Sequence, residues 1–322
     1  MPDTVDFDVV GPIGEALLRR ARGTTHELSA LLHDVEKHVT INGTQVTFHC
    51  HCLKFDGNHR TRVDDLVSAI SDHVLDFAVP RSAIAQAQDA YLRTGTTAPL
   101  MRLQNEAAGL FTDLKQSGEG GELLLYVLAE SVLRLPQLLC KMGLKTNVRM
   151  HVHGADGLHA GVDPISGHLL LYWGESKLHA DPGDAIRECL KSIAPMITST
   201  GESGQGHRDM QLLGRHADLA DENLTQAIKT FLDPRHENFN KLEFCGLCLV
   251  GYDSEAYPGP AELGDTDALL AAITEQLPSL KQSILRRLQA EELVKFGFHV
   301  ICVPFPSVEE FRAKLLVQMG LT

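Results

Sequence analysis

The stretch LLLYWGESKLHAD (169–181) constrains the fold of this chain more than any other. A short, continuous run of large aliphatic and aromatic side chains reads as a strand buried on both faces, which calls for neighbouring strands and covering helices. It ends in Glu175-Ser176-Lys177. Residues i and i+2 of a strand share a face, so Glu175 and Lys177 stand side by side with Ser176 opposite. Placing both charges at the end of a buried strand costs desolvation of each. The pair therefore needs something to stabilise it.

A second acid is within reach. Asp163-Pro164-Ile165-Ser166-Gly167 supplies a turn, with Pro presetting φ and Gly taking the left-handed corner. Residues 145–178 read as two or three strands around it. A hairpin centred near residue 165 pairs position 156 with about position 174, which sets Asp156 beside Glu175 within a residue of register. Two carboxylates and an amine then converge at one end of the hairpin. That set suits phosphodiester hydrolysis. Carboxylates bind Mg²⁺, which prefers oxygen ligands and keeps several waters. A bound metal polarises phosphate and lowers the pKa of water, while an adjacent Lys orients or deprotonates that water and offsets charge in the transition state. Glu122, on the buried helix ELLLYVLAESVL (122–133), is a candidate to complete the metal shell. Glu119, one turn earlier, competes with it; its plainer reading is an acid favoured by the helix dipole.

The surrounding pattern alternates helices and strands. Residues 1–110 form an N-terminal α+β region. It holds a helical stretch over 16–38 broken at Gly23, a hairpin over 40–55 around Asn42-Gly43, a helix over 63–79 stopped by Pro80, and a helix over 82–95. Residues 111–322 form an α/β core. After the buried helix and the hairpin come a helix over 181–197 capped by Asp181, a Gly-rich loop over 200–209 and a strand over 241–253. A helix over 267–292 with a break at Pro278, a strand over 293–305 and a helix over 307–320 complete it. The last helix opens on a Ser-x-x-Glu capping box and ends at Gly320.

Composition narrows the function. The chain of 322 residues carries a formal charge of −13, which argues against a free-standing, tight DNA binder. It leaves room for a nuclease whose metal offsets local acids, or one that a partner delivers to DNA. There is no apolar run of about 18 residues to cross a membrane and no signal-peptide pattern, so a cytoplasmic protein is expected. Seven Cys without an export signal argue against a disulfide framework. Cys140 and Cys189 are expected in the core.

Four motifs in order carry a family resemblance: GEGGELLLYVLAE (118–130), LPQLLCKMGLKTN (135–147), HGADGLHAGVD (153–163) and LYWGESKLH (171–179). Together they resemble the PD-(D/E)xK nuclease module of the HamA family, effectors of the bacterial Hachiman antiphage system. The strong resemblance covers about 60 residues; the N-terminal hairpin and residues 64–81 resemble the family more weakly. It implies a restriction-endonuclease-like PD-(D/E)xK core and Mg²⁺-dependent DNA cleavage, with Mn²⁺ as an alternative ion. Residue by residue, it implies that Asp156 and Glu175 are metal ligands, that Lys177 is the catalytic amine and that Glu122 is the helix acid. Ala155 stands where the family name places Pro. A helicase-like partner, HamB, that recognises damaged or invading DNA and restrains the nuclease is also implied.

Other signals compete. His151 and His153 share a strand face and, with Asp156, suggest a zinc-dependent metallohydrolase. A non-catalytic interaction subunit is a further alternative, against which the intact Asp156, Glu175 and Lys177 argue. Cys245 and Cys248 have CxxC spacing, and His49-Cys50-His51-Cys52 is rich in metal-ligand types. Yet Cys245 and Cys248 lie within an apolar strand, where i and i+3 face opposite sides, so buried thiols are expected. Gly201, Gly204 and Gly206 do not follow a strand into a helix as a phosphate loop would. His207, Arg208, Arg215 and His216 read as a solvated segment that could touch a DNA backbone.

Overall fold

The structure, a computed structural model, describes residues 7–23, 25–111, 118–142, 154–198, 205–259 and 262–321. Within these, strands β1 (Leu32–Thr40), β2 (Val46–Leu53), β3 (Gly157–Val162), β4 (Leu169–His179), β5 (Leu242–Asp253) and β6 (Phe298–Phe305) make one sheet in the order β1-β2-β6-β5-β4-β3. The four inner strands run parallel; the edge strands β1 and β3 are antiparallel to their neighbours. Inner parallel strands are covered on both faces, which is why β4, β5 and β6 read as near-continuous apolar runs.

The helices are α1 (Phe7–Arg20), α2 (Thr25–Leu31), α3 (Val63–Ser71), α4 (Val74–Ala78), α5 (Arg81–Thr94), α6 (Ala98–Gly109), α7 (Glu119–Ser131), α8 (Pro182–Thr198), α9 (Gln205–His216), α10 (Glu222–Leu232), α11 (Thr266–Ala290) and α12 (Val308–Gln318). Helix α7 packs on one sheet face. A Cβ on its Gly121 would come within 2.7 Å of Leu178 and 3.0 Å of Ser176. On the opposite face α8 covers β4, where the Cys189 thiol donates to the Glu175 carbonyl at 3.3 Å. The result is a three-layer α/β/α arrangement. Every residue of α7 except Glu122 is buried, as its apolar sequence predicts for a helix without a solvent face.

The structure departs from the sequence expectations at several places; the helix expected over 63–79 is two, α3 and α4, and the strand expected over 293–305 begins at Phe298. Residues Leu32–Thr40 are an edge strand, not the end of a helix. Strand β2 is flanked by β6 on one side, and its other row of N–H and C=O groups needs a partner; Leu32–Thr40 supplies it. Two register shifts, between Asp34 and Glu36 and between Glu36 and Val39, bend this edge, and His38 takes φ +55° there. Bulges of this kind blunt an exposed sheet edge against pairing with another chain. Helix α11 runs unbroken through Pro278. Leu269, Ile273, Leu277, Leu280, Ile284 and Leu288 fall on one buried stripe, and burial along 25 residues outweighs the one lost hydrogen bond. The latter part of the expected Gly-rich loop, from Gln205, is the first turn of α9; residues 199–204 lie outside the described residues. Gly206 has a packing reason there, since a Cβ would sit 2.2 Å from the Met196 carbonyl oxygen of α8.

The N-terminal hairpin β1–β2 continues the core sheet through the β2–β6 pairing. The region before residue 110 and the core after it therefore share one sheet and one hydrophobic cluster.

Candidate active site

Asp156 and Glu175 face each other across β3 and β4. The Asp156 N–H donates to the Gly174 carbonyl at 2.8 Å, and Gly157 pairs with Gly174. Asp156 therefore stands opposite Glu175, one position from the expected pairing. Beyond the end of β3, the Asp156 carboxylate takes over the ladder: its Oδ2 accepts from the Ser176 N–H and the Ser176 hydroxyl, each at 2.8 Å. The small residue between the acid and the amine thus anchors the second acid.

Glu175 is 4% exposed, and its Oε1 accepts from Lys177 Nζ at 2.6 Å. The Lys177 side chain is 28% exposed and Asp156 is half-buried, so the group reaches solvent through these two residues. Burial, then the nearby Asp156 charge, pushes the Glu175 carboxyl up to about 7; Lys177 and a Ser192 hydrogen bond oppose the rise. Burial also raises Asp156, against the pull of Lys177 and of the Ser176 hydrogen bonds. Burial lowers Lys177, but the two acids outweigh it and its pKa ends above the usual ammonium value. The carboxylates ionise reluctantly chiefly because they are buried, and at Glu175 also because the Asp156 charge is close. A divalent cation is the kind of ligand that would relieve this.

Glu122 lies in the first turn of α7, next to the Gly121 that packs on Ser176 and Leu178. Glu119, on the same helix, is buried. Among the described residues no three His, Cys, Asp or Glu side chains are gathered as around a metal ion. The structure thus brings Asp156, Glu175 and Lys177 together, and does not gather Glu122, Asp156 and Glu175 into a preformed three-acid shell. Two carboxylates suit Mg²⁺, which fills its remaining positions with water or substrate oxygen.

The competing signals resolve in part. His151 and His153 lie outside the described residues. Cys245 and Cys248 are buried free thiols. His49 contacts His299, with Nε2 and Nδ1 3.0 Å apart, and His51 Nδ1 lies 2.8 Å from Asp34 Oδ1. Arg208, Arg215 and His216 are exposed on α9 and His207 contacts Gln211, so this segment is solvated, as a helix.

One feature gave no signal in the sequence. Lys141 and Asp209 form a buried ion pair at 2.8 Å, next to the residue that precedes Asp156. They lie 68 residues apart in the chain, and Asp209 falls within the expected loop.

Among the described residues no helix is long and apolar enough to cross a membrane. No curated protein matches the chain. The model of one family, HamA, matches residues 28–319 of the 322. This span runs from α2 to α12 and takes in the whole sheet with Asp156, Glu175 and Lys177, and by it the chain belongs to the HamA family, a family of Hachiman defence-system proteins.

Proposed function

We propose that this chain is the nuclease effector of its defence system, a Mg²⁺-dependent PD-(D/E)xK deoxyribonuclease held inactive by a helicase-like partner, HamB, and released by it onto DNA. The observation that carries this reading is the meeting of Asp156, Glu175 and Lys177 at the open end of the β3–β4 hairpin. Asp156 and Glu175 would hold the ion, and Mn²⁺ would satisfy the same oxygen donors. The bound ion supplies Lewis-acid polarisation of the phosphate and a more acidic water. Ser176 fixes the Asp156 carboxylate through two hydrogen bonds, so one acid is oriented in advance. Glu175 holds the Lys177 ammonium group at 2.6 Å, where it can orient the attacking water and offset charge that develops on the phosphate. The charge of −13 gives the chain no general attraction for DNA, which favours delivery by a partner.

The test is plasmid degradation with the partner present, comparing wild type with Glu175→Ala. Loss of about 10²-fold or more is expected, since this removes a metal ligand and an orienting group together. Equal cleavage by the two proteins overturns the reading.

Metal binding should also depend on pH. The ion binds the ionised carboxylate, and Glu175 is half protonated near pH 7. Below that value Mg²⁺ competes with a proton, so its affinity should fall by up to about tenfold per pH unit. Calorimetric titration with Mg²⁺ at pH 6 and pH 8 checks this; equal affinities would remove Glu175 from the ligand set.

A further inference from the structure

The Lys141–Asp209 pair grips the backbone of Ala155 from both sides. Lys141 Nζ donates to the Ala155 carbonyl at 2.8 Å, and Asp209 Oδ2 accepts from the Ala155 N–H at 3.2 Å. The two side chains meet at 2.8 Å through Asp209 Oδ1. Asp209 is 0% exposed and Lys141 is 8% exposed, so the pair sits away from solvent, where ion pairs are expensive to keep. Packing alone gives no reason to hold charges there.

The neighbouring glycine is shaped by the same contact. Gly154 has φ +133°, and a Cβ on it would lie 2.6 Å from Asp209 Oδ1 and 2.8 Å from Lys141 Nζ. No other residue fits at this position without displacing the pair. From Gly154 to Asp156 the chain is thus fixed first by the ion pair and then by the Asp156 N–H bond to Gly174. Asp156 lies before the first residue of β3; Ser176 holds its carboxylate and Gly174 its N–H, and the ion pair holds the residue before it.

We infer that Lys141 and Asp209 are positioning residues that set the Asp156 carboxylate for metal binding, and that α9 thereby controls the geometry of the site. The inference rests on the reading of Asp156 as a metal-binding acid. Neither side chain touches the reacting atoms in this scheme. Both hold the Ala155 backbone, and the Lys141 charge is also felt directly by Asp156.

The test uses the full-length chain and Mn²⁺ alone as the probe, followed by plasmid cleavage with the partner present. The double variant Lys141→Met/Asp209→Leu replaces the pair by apolar side chains, so neither charge is left alone; it removes both grips on Ala155 and leaves that N–H and carbonyl without these partners. Mn²⁺ affinity is expected to fall by about tenfold or more and cleavage in proportion, measured below the thermal midpoint of the variant, which should be lower than that of wild type by the two lost backbone hydrogen bonds. A second variant, Asp209→Asn, keeps the volume and one acceptor oxygen; its Mn²⁺ affinity should fall less than that of the double variant. Unchanged Mn²⁺ affinity in a folded form of either variant overturns the inference. Should wild type bind Mn²⁺ but cleave no DNA, the nuclease reading fails. A lower Mn²⁺ affinity in the variants would then still support the positioning role.

Discussion

Lys177→Met should lower DNA cleavage by about 10²- to 10⁴-fold, the range expected when a positioned proton-transfer group is removed. Two effects act together. The ammonium group lies 2.6 Å from Glu175 Oε1 and is the nearest compensation for two acids. Without it, the site loses the ammonium group placed to offset the charge that gathers on the phosphate. Lys177 also restrains the rise in the Glu175 pKa, so its removal lets that carboxyl climb above about 7 and leaves it protonated near neutrality. Met preserves the aliphatic stem, so folding should be spared. Part of the loss should be recovered at higher pH, where Glu175 ionises again. Single-turnover cleavage measured from pH 7 to pH 9 separates the two effects. Activity within about threefold of wild type at every pH would exclude Lys177 from the chemistry.

Glu130→Ala should destabilise the fold by about 3–5 kcal/mol, the cost of breaking a buried ion pair from one side. Glu130, near the end of α7, is 1% exposed. Its Oε1 accepts from Arg81 at 2.5 Å and from the Gln137 N–H at 2.7 Å, and its Oε2 accepts from the Arg22 N–H at 2.6 Å. Arg81, itself 8% exposed, also donates to the Arg20 carbonyl at 2.7 Å. One carboxylate therefore ties α7 to the chain just after α1, to the start of α5 and to the segment that leads towards Lys141. Truncation leaves a guanidinium group and two backbone donors without their acceptor in a dry site. Urea unfolding should show a lower midpoint with an unchanged slope; a loss under about 1 kcal/mol would mean that these groups find other partners.

The site was more legible than its supports. The apolar run into Glu175-Ser176-Lys177 and the turn at Asp163–Gly167 are local signals, and they set the hairpin to within one residue of register. The cap of α12 was equally local: the Ser307 hydroxyl accepts from the Glu310 N–H. Where the deciding interaction is distant, sequence pattern gave no purchase. Leu32–Thr40 became a strand because β2 has an edge to fill, and Pro278 stayed helical because a long stripe is buried. Lys141 and Asp209 find each other only through the tertiary fold. The pairing of β2 with β6, which binds the N-terminal hairpin to the core, likewise leaves no local trace.

That pairing bears on how the chain is made. Thr47 lies beside His299 in a parallel ladder, and β6 is wedged between β2 and β5. On the ribosome, β2 must wait for β6, which follows it by about 250 residues, before it meets this partner. Until then the nascent sheet exists as two halves with open edges, a state exposed to misassociation. Among the described strands β6 alone joins the hairpin to β5 like a keystone, so a chain cut upstream of Phe298 would lack the strand that unites the two parts of the sheet.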